Sequence, residues 1–366
     1  MLKEKIRSYQ GDKVTHKIHN WQDISSHFSE SILLGNGASI GIDSRFQYSS
    51  LKDHACANGL LNQSVNTLFD YFKTSDFELI LRLVWQATKV NEALALTDNA
   101  TKIAYEHIRE CLIKAVQEIH PPHNSIQDQI PVITKFLSSF ETVLSLNYDL
   151  TLYWVMMYAN EQVRQLRHGT EFKDCMIKGK FRSDWQTLRD PLKGTKAALV
   201  FYPHGSLVLA RHIVQQEVKL ALTEVKLAAS TPNDLLDHIK KSWLSDDYVP
   251  LFVSEGTSEQ KVKAIENSHY LSIVYREVIP LIGKNLTIFG WGLGESDIHI
   301  LKKLKESSVE KIAVSVYQND QSYCIDAARM IRDHIGSKIK VVFFDSESDG
   351  CWNKPVSSSI YKPSTT

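Results

Sequence analysis

Four short segments hold residues whose types and spacing could do chemistry. The first is Gly35-Asn36-Gly37-Ala38-Ser39, placed directly after the apolar run Ser31-Ile32-Leu33-Leu34. Glycines at a strand-to-helix turn let backbone amides approach an anion such as a phosphate, and the Ser39 hydroxyl can donate to the same group. The spacing also fits a tight turn without a ligand, and the third glycine of a dehydrogenase fingerprint is missing. The second segment is Asn147-Tyr148-Asp149, after the apolar run at 142–146. An amide there can fix a water or a hydroxyl, and Asp149 can accept from an N–H; the same residues also make an Asx turn. The third is Pro203-His204-Gly205. A histidine held between a rigid and a permissive residue suits general base work near neutral pH, and equally suits a turn. The fourth runs from Gly290 through Trp291, Gly292, Leu293, Gly294 and Glu295 to Ser296 and Asp297. Ser296 or Asp297 can cap a helix, whereas glycine at that density lets backbone come close to a ligand. His299, just inside that helix, reads as structural.

Each segment follows a short run that reads as a buried strand, at 31–34, 142–146, 197–201 and 286–289. Further strands are expected at 250–253, 311–317 and 340–344, with helices from about 258, at 297–306 and at 321–335. Strands alternating with helices imply a parallel sheet covered on both faces. In such sheets ligands bind outside the carboxyl ends of the strands, where all four segments fall. The stretch from about 51 to 119 has helical spacing, carried by Leu68, Phe69, Phe72, Leu79, Leu83, Ile103, Ile108 and Leu112, and Pro121-Pro122 breaks it. The expected architecture is α/β. One Rossmann-like domain spans 1–366, with a helical insertion at 52–135 forming a smaller subdomain. A second insertion is expected at 153–195, and a frayed, Ser-rich tail at 346–366.

Composition narrows the function classes. The 366 residues carry 42 Lys+Arg and 42 Asp+Glu, a net charge of zero. A neutral balance argues against duplex DNA or an anionic membrane as the main partner. No apolar run reaches the ~18 residues of a membrane-spanning helix, and the polar opening lacks the apolar core of a signal peptide. The five cysteines are Cys56, Cys111, Cys175, Cys324 and Cys351. Their odd number and wide spacing fit a reducing cytoplasm and exclude a cysteine zinc ribbon. The pairs His16/His19 and His120/His123 read as surface loops rather than metal ligands.

The order G-x-G-x-S, N-x-D, H-G and glycine-rich strand end resembles the sirtuin fold. Asn147, Asp149, His204 and Gly205 match the sirtuin N-I-D and catalytic H-G motifs residue by residue. More closely, Gly35–Ser39 followed by Phe46, Tyr48, Ser49 and Leu51, together with the run from Gly290 to Ile300, is similar to the sirtuin-like NAD+ hydrolases of bacterial antiphage defence. The similarity covers roughly 30–55, 135–155, 197–210 and 250–345, and leaves the helical insertions uncovered. Asn36 stands where sirtuins usually carry Ala.

The resemblance implies cleavage of NAD+ to nicotinamide and ADP-ribose, linear or cyclised. The pyrophosphate would lie over Gly35, Asn36, Gly37 and Ser39, and the nicotinamide near Asp149. Asn147 would orient the ribose or the attacking water, and His204 would withdraw a proton. Gly290, Gly292, Ser296 and Asp297 would hold the adenosine side. No metal is implied, because the leaving group is already cationic. The resemblance further implies an NAD-depleting effector of abortive infection. Its control would come from a homo-oligomer or a partner sensor protein, since an unregulated NADase would kill its own cell. Two alternatives stay open. An NAD-dependent protein deacylase would need the zinc ribbon that is missing. A non-catalytic NAD-binding sensor or scaffold would gain nothing from His204.

Overall fold

The computed structural model describes residues 15–47, 50–97, 99–191, 193–212, 217–220, 234–244, 248–253 and 256–356. Tyr48 and Ser49, the opening residues 1–14 and the end of the tail at 357–366 lie outside them. The strands, in chain order, are β1 (Ile18–His19), β2 (Ser31–Leu34), β3 (Thr142–Ser145), β4 (Thr170–Lys173), β5 (Met176–Ile177), β6 (Lys180–Phe181), β7 (Lys196–Phe201), β8 (Gly205–His212), β9 (Glu217–Lys219), β10 (Tyr248–Phe252), β11 (Asn285–Phe289), β12 (Lys311–Val316) and β13 (Lys340–Asp345).

Eight of them form one parallel sheet in the order β1-β13-β12-β11-β2-β3-β7-β4. Ser31–Leu34 and Thr142–Ser145 are buried at every position, because helices cover both faces and continuous apolar runs are what such a sheet requires. From β2 the chain continues on one side through β3, and from β11 it continues on the other side through β12. These two neighbours therefore diverge, and a crevice opens at their carboxyl ends. Leu34 ends level with Phe289 on one side and Ser145 on the other, so the loops that follow start from one line. This is a Rossmann-like α/β architecture.

Between β2 and β3 the described chain is helical, with Leu51–Ala57, Gln63–Tyr71, Phe77–Ala93, Ala100–Ile119 and Ile130–Leu137 as its main helices. Ser50, Asn62 and Asp76 accept backbone N–H groups at three of the N-termini, which replaces hydrogen bonds the first turn cannot make internally. Phe69, Ile108 and Leu112 are fully buried, but Phe72 and Ile103 are 42% and 62% exposed. The apolar spacing therefore overstates the core-facing side of this region.

Four expectations need correction. The stretch 153–195 is not outside the sheet. It continues the helix Thr151–Leu166 and supplies the edge strand β4. Thr170–Lys173 alternates buried and half-buried side chains, as an edge strand does, and the Asn160 amide brackets Phe172 with two 2.8 Å hydrogen bonds. The strand expected at 250–253 does not join the parallel sheet: β10 pairs antiparallel with β8 in a separate three-stranded sheet with β9. The cause is the turn at Pro203-His204-Gly205. Gly205 has φ +77°, a Cβ there would lie 2.2 Å from the Leu251 carbonyl oxygen, and Gly205 N–H donates back to Tyr202. Only glycine can reverse the chain so tightly against β10. The start of the tail is packed rather than frayed, with Cys351 and Trp352 buried. Trp352 Nε1 donates to the Ala38 carbonyl at 2.9 Å. Finally, His120 is buried rather than in a surface loop. Its Nδ1 meets Pro121 O and its Nε2 accepts Leu150 N–H, so it braces the loop directly after Asp149. Among the described residues no helix is long and apolar enough to cross a membrane.

Candidate functional site

A cavity of about 1230 Å³ opens over the carboxyl ends of β2, β3, β7, β11 and β12. Gly35, Asn36, Gly37, Asn147, Asp149, His204, Gly290, Gly292 and Asp297 all line it. Ser39 and Ser296 do not. Ser39 is buried beneath the floor. Ser296 lines a second cavity, of about 930 Å³, between the helical region and the segment that starts at Gly256.

The floor is a polar lattice joining the first two segments. Asn147 Nδ2 donates to the Gly35 carbonyl and to Ser39 Oγ, both at 2.9 Å. Ser39 Oγ in turn donates to Asp149 Oδ2 at 2.5 Å, and Asp149 Oδ1 accepts Thr151 N–H at 2.7 Å. Both hydrogens of the Asn147 amide are thus spent on protein. Its Oδ1 has no protein donor among the described residues and is the atom left for a ligand hydroxyl or water. The third segment is tied to the second through Tyr148. Its carbonyl accepts Leu207 N–H at 2.8 Å, and its ring stacks on Phe252 at 5.0 Å.

The glycines of the first and fourth segments pack into each other. Gly37 N–H donates to the Gly290 carbonyl at 2.7 Å. A Cβ on Gly35 would lie 2.5 Å from Trp291 Cα, and one on Gly290 would lie 2.2 Å from Ala38 N. The expected phosphate cradle at Gly35–Gly37 therefore has the Gly37 amide already engaged. Gly292 differs: a Cβ there would meet nothing within 4 Å. The amides of Gly292 and Gly294 also have no protein acceptor among the described residues. Both lysines that line the cavity are paired, Lys261 with Asp297 at 2.8 Å and Lys354 with Glu347 at 3.6 Å.

The third and fourth segments meet at a histidine pair. His204 Nε2 and His299 Nε2 are 2.9 Å apart. His299 Nδ1 lies 3.3 Å from Ser258 Oγ, which also accepts His299 N–H at 3.0 Å. Asp297 sits beside the pair and accepts from Lys261 Nζ at 2.8 Å and Trp291 Nε1 at 3.2 Å. Burial pushes His204 well below the ordinary imidazole value, and the Lys261 charge adds to this; burial brings His299 to about 4. Both rings are therefore neutral near pH 7. Burial alone would raise Asp297, but the positive charge of the imidazoles where they are protonated, and the Lys261 ammonium, outweigh it and hold the carboxyl below its usual range.

His204, Asp297 and His299 bring ligand atoms within 4.8 Å of one another, a set whose donor types suit a divalent cation. Lys261 already neutralises the one carboxylate of that set. Sequence reasoning missed Lys261, Ser258, His120 and Trp352 and read His299 as structural. The only available signal was the Asp297-x-His299 spacing at a strand end.

The fold and the crevice define a Rossmann-like α/β protein with a cavity at its switch point. Residues 32–352 match the family described as a domain of unknown function, DUF4917. The chain belongs to that family, and the match spans all four segments. No curated protein matches the chain.

Proposed function

We propose that this protein binds NAD+ in the switch-point cavity and hydrolyses it to nicotinamide and ADP-ribose. One observation carries the reading: Asn147 and His204, from two separate strand ends, line the same cavity, with Asn147 pinned to the glycine turn of β2. The cavity volume lies above the ~300–1,000 Å³ usual for small ligands, which suits a dinucleotide. Asn147 Oδ1 accepts from a ribose hydroxyl or the attacking water. Each Asp149 oxygen already accepts one hydrogen bond, and the remaining lone pairs suit a carboxamide NH2. His204 withdraws the proton through Nδ1, because Nε2 faces His299. Cleavage of the C1′–N bond develops oxocarbenium character on the ribose, as in glycoside hydrolysis, and the leaving nicotinamide departs neutral. The free amides at Gly292 and Gly294 suit the pyrophosphate better than Gly37 does, and the open space at Gly292 leaves room for it.

The biological reading that follows is an NAD-depleting effector of antiphage defence. It acts in the cytoplasm, with its activity switched on by a partner sensor or by assembly. Five free thiols support a reducing compartment. The test is incubation with NAD+ and product analysis, with and without the proteins encoded beside it. Nicotinamide and ADP-ribose are expected, with loss of about 10²-fold or more on His204→Ala and on Asn147→Ala. NAD+ that is bound but intact under every condition would favour a sensor or scaffold. Turnover that requires an acylated peptide would mean a deacylase.

A further inference from the structure

We propose that His299 is a positioning residue for His204: its Nε2 accepts the Nε2–H of His204 and so presents the His204 Nδ1 lone pair to the cavity as the base. The inference deepens the NAD+ hydrolase reading and rests on it for the direction of the proton. The geometry stands independently of that reading. The two Nε2 atoms are 2.9 Å apart, so one of them carries the shared hydrogen. The far end of the pair is fixed by Ser258. Its Oγ accepts the His299 backbone N–H at 3.0 Å and lies 3.3 Å from His299 Nδ1.

A base at the cavity needs a bare nitrogen there. If Nδ1 of His204 is bare, its neutral ring carries hydrogen on Nε2, which donates to His299 Nε2. A neutral His299 then carries hydrogen on Nδ1, which donates to Ser258 Oγ. Ser258 Oγ, which also accepts the His299 backbone N–H, and the Ser296 backbone carbonyl are the acceptors at that end of the pair. The arrangement has the logic of a base oriented by a third group, with an imidazole in the place usually held by a carboxylate. The proton balance is simple. A hydroxyl or water O–H gives its proton to His204 Nδ1, and the resulting imidazolium shares its Nε2 proton with His299 Nε2. The groups facing the pair are Lys261, Asp297, Ser258, Glu259, the Ser296 backbone carbonyl, which accepts from the His299 ring, and Tyr275, whose hydroxyl donates to the His299 carbonyl at 3.1 Å. The Lys261–Asp297 ion pair is close to neutral overall, so the partner of the imidazolium is the second ring rather than a free carboxylate.

Three measurements test this. The first compares wild type, His299→Ala and His299→Gln in NAD+ turnover, with NAD+ KM and the melting temperature recorded alongside. His299→Ala is expected to lose tenfold to about a hundredfold in kcat with KM little changed, and Gln, whose Oε1 can accept the same hydrogen, to recover most of that loss. Unchanged kcat in a folded His299→Ala, or a loss confined to KM, would overturn the role. The second reads imidazole 15N shifts in histidine-labelled wild type, and it needs no activity. It should show hydrogen on Nε2 of His204 and on Nδ1 of His299. The reversed pattern overturns the assignment even if NAD+ is cleaved, and the expected pattern upholds it even if the substrate is another nucleotide. The third is metal content: stoichiometric bound metal, lost on His299→Gln and on Asp297→Asn, would make the three residues a metal site and would also overturn it.

Discussion

Ser39 donates its hydroxyl hydrogen to Asp149 at 2.5 Å while accepting from Asn147 at 2.9 Å. One buried hydroxyl therefore couples the glycine turn after β2 to the loop after β3, and it does so from beneath the cavity floor.

Ser39→Ala removes that node. It leaves one Asn147 hydrogen and one Asp149 oxygen short of a partner in a buried setting, which costs about 1–3 kcal/mol. The Asn147 amide then keeps only its hydrogen bond to the Gly35 carbonyl. A lower melting temperature is expected together with a fall in turnover larger than any rise in KM. Ser39→Thr keeps the hydroxyl and should retain more of both. Equal turnover in the Ala variant would mean that Asn147 is held by Gly35 alone.

The glycines of the fourth segment separate into two kinds, and substitution should sort them. Gly290 has φ +67° and is packed against Ala38 N, so Gly290→Ala should unfold the protein or shift the whole β2–β11 junction. Gly292 has open space at its Cβ position and lines the cavity. Gly292→Leu should change stability by no more than about 0.5 kcal/mol and weaken NAD+ binding at least tenfold, read by calorimetry. Normal binding by a folded Gly292→Leu would move the dinucleotide away from this wall.

The strands β2, β3, β7 and β11 were legible because each is a short, mostly apolar run with Gly, Asn or Pro one or two residues beyond its end. The placement of the four segments followed from the rule for parallel sheets. What stayed hidden depends on contacts distant in sequence. Gly35 and Gly37 look like a phosphate turn, yet much of their need for hydrogen in place of Cβ comes from Gly290 and Trp291, more than 250 positions away. The Ser-rich composition after Asp345 points to fraying, whereas over residues 346–356 the buried Trp352 holds the segment in place. His299 on a helix face carries no mark of its partner, since His204 lies 95 residues earlier.

Glu78 gives a pH test that does not involve the cavity. It is buried at the start of the helix Phe77–Ala93, 4.0 Å from Arg82, with Asp76 and Glu217 also acting on it. Burial pushes its carboxyl up to about 8, outweighing Arg82. The folded protein thus holds a proton that the unfolded chain releases at the ordinary glutamate value. The stability contributed by neutral Glu78 is complete below about pH 4.5 and is lost as pH rises through about 8. Glu78→Gln, neutral at every pH, should match wild type near pH 5. It should exceed wild type by a few kcal/mol near pH 8.5, since each tenfold difference in proton affinity between the folded and unfolded chain is worth roughly 1.4 kcal/mol. Chemical denaturation at the two pH values measures this, and a constant difference between the proteins would show that Glu78 is charged throughout.

Trp352 tests whether the segment after β13 is part of the site. Its ring packs on Phe289 at 5.4 Å and Phe136 at 6.0 Å, its Nε1 donates to Ala38 O at 2.9 Å, and it lines the cavity with Asn353 and Lys354. Asn353 Nδ2 adds hydrogen bonds to Gly41 O at 2.8 Å and Gln129 Oε1 at 2.6 Å. The segment therefore clamps the short helix that begins at Asn36. Trp352→Ala should cost about 3–5 kcal/mol, since it empties a large buried volume. Trp352→Phe keeps most of that volume and loses the indole N–H, so it should cost about 1–3 kcal/mol for the lost hydrogen bond. If the clamp also sets the cavity wall, Trp352→Phe should raise the NAD+ KM at a temperature where it remains fully folded, with kcat closer to wild type, because His204 and Asn147 keep their own partners. An unchanged KM in that variant would limit Trp352 to stability and move the ligand toward the β3 and β7 side of the cavity.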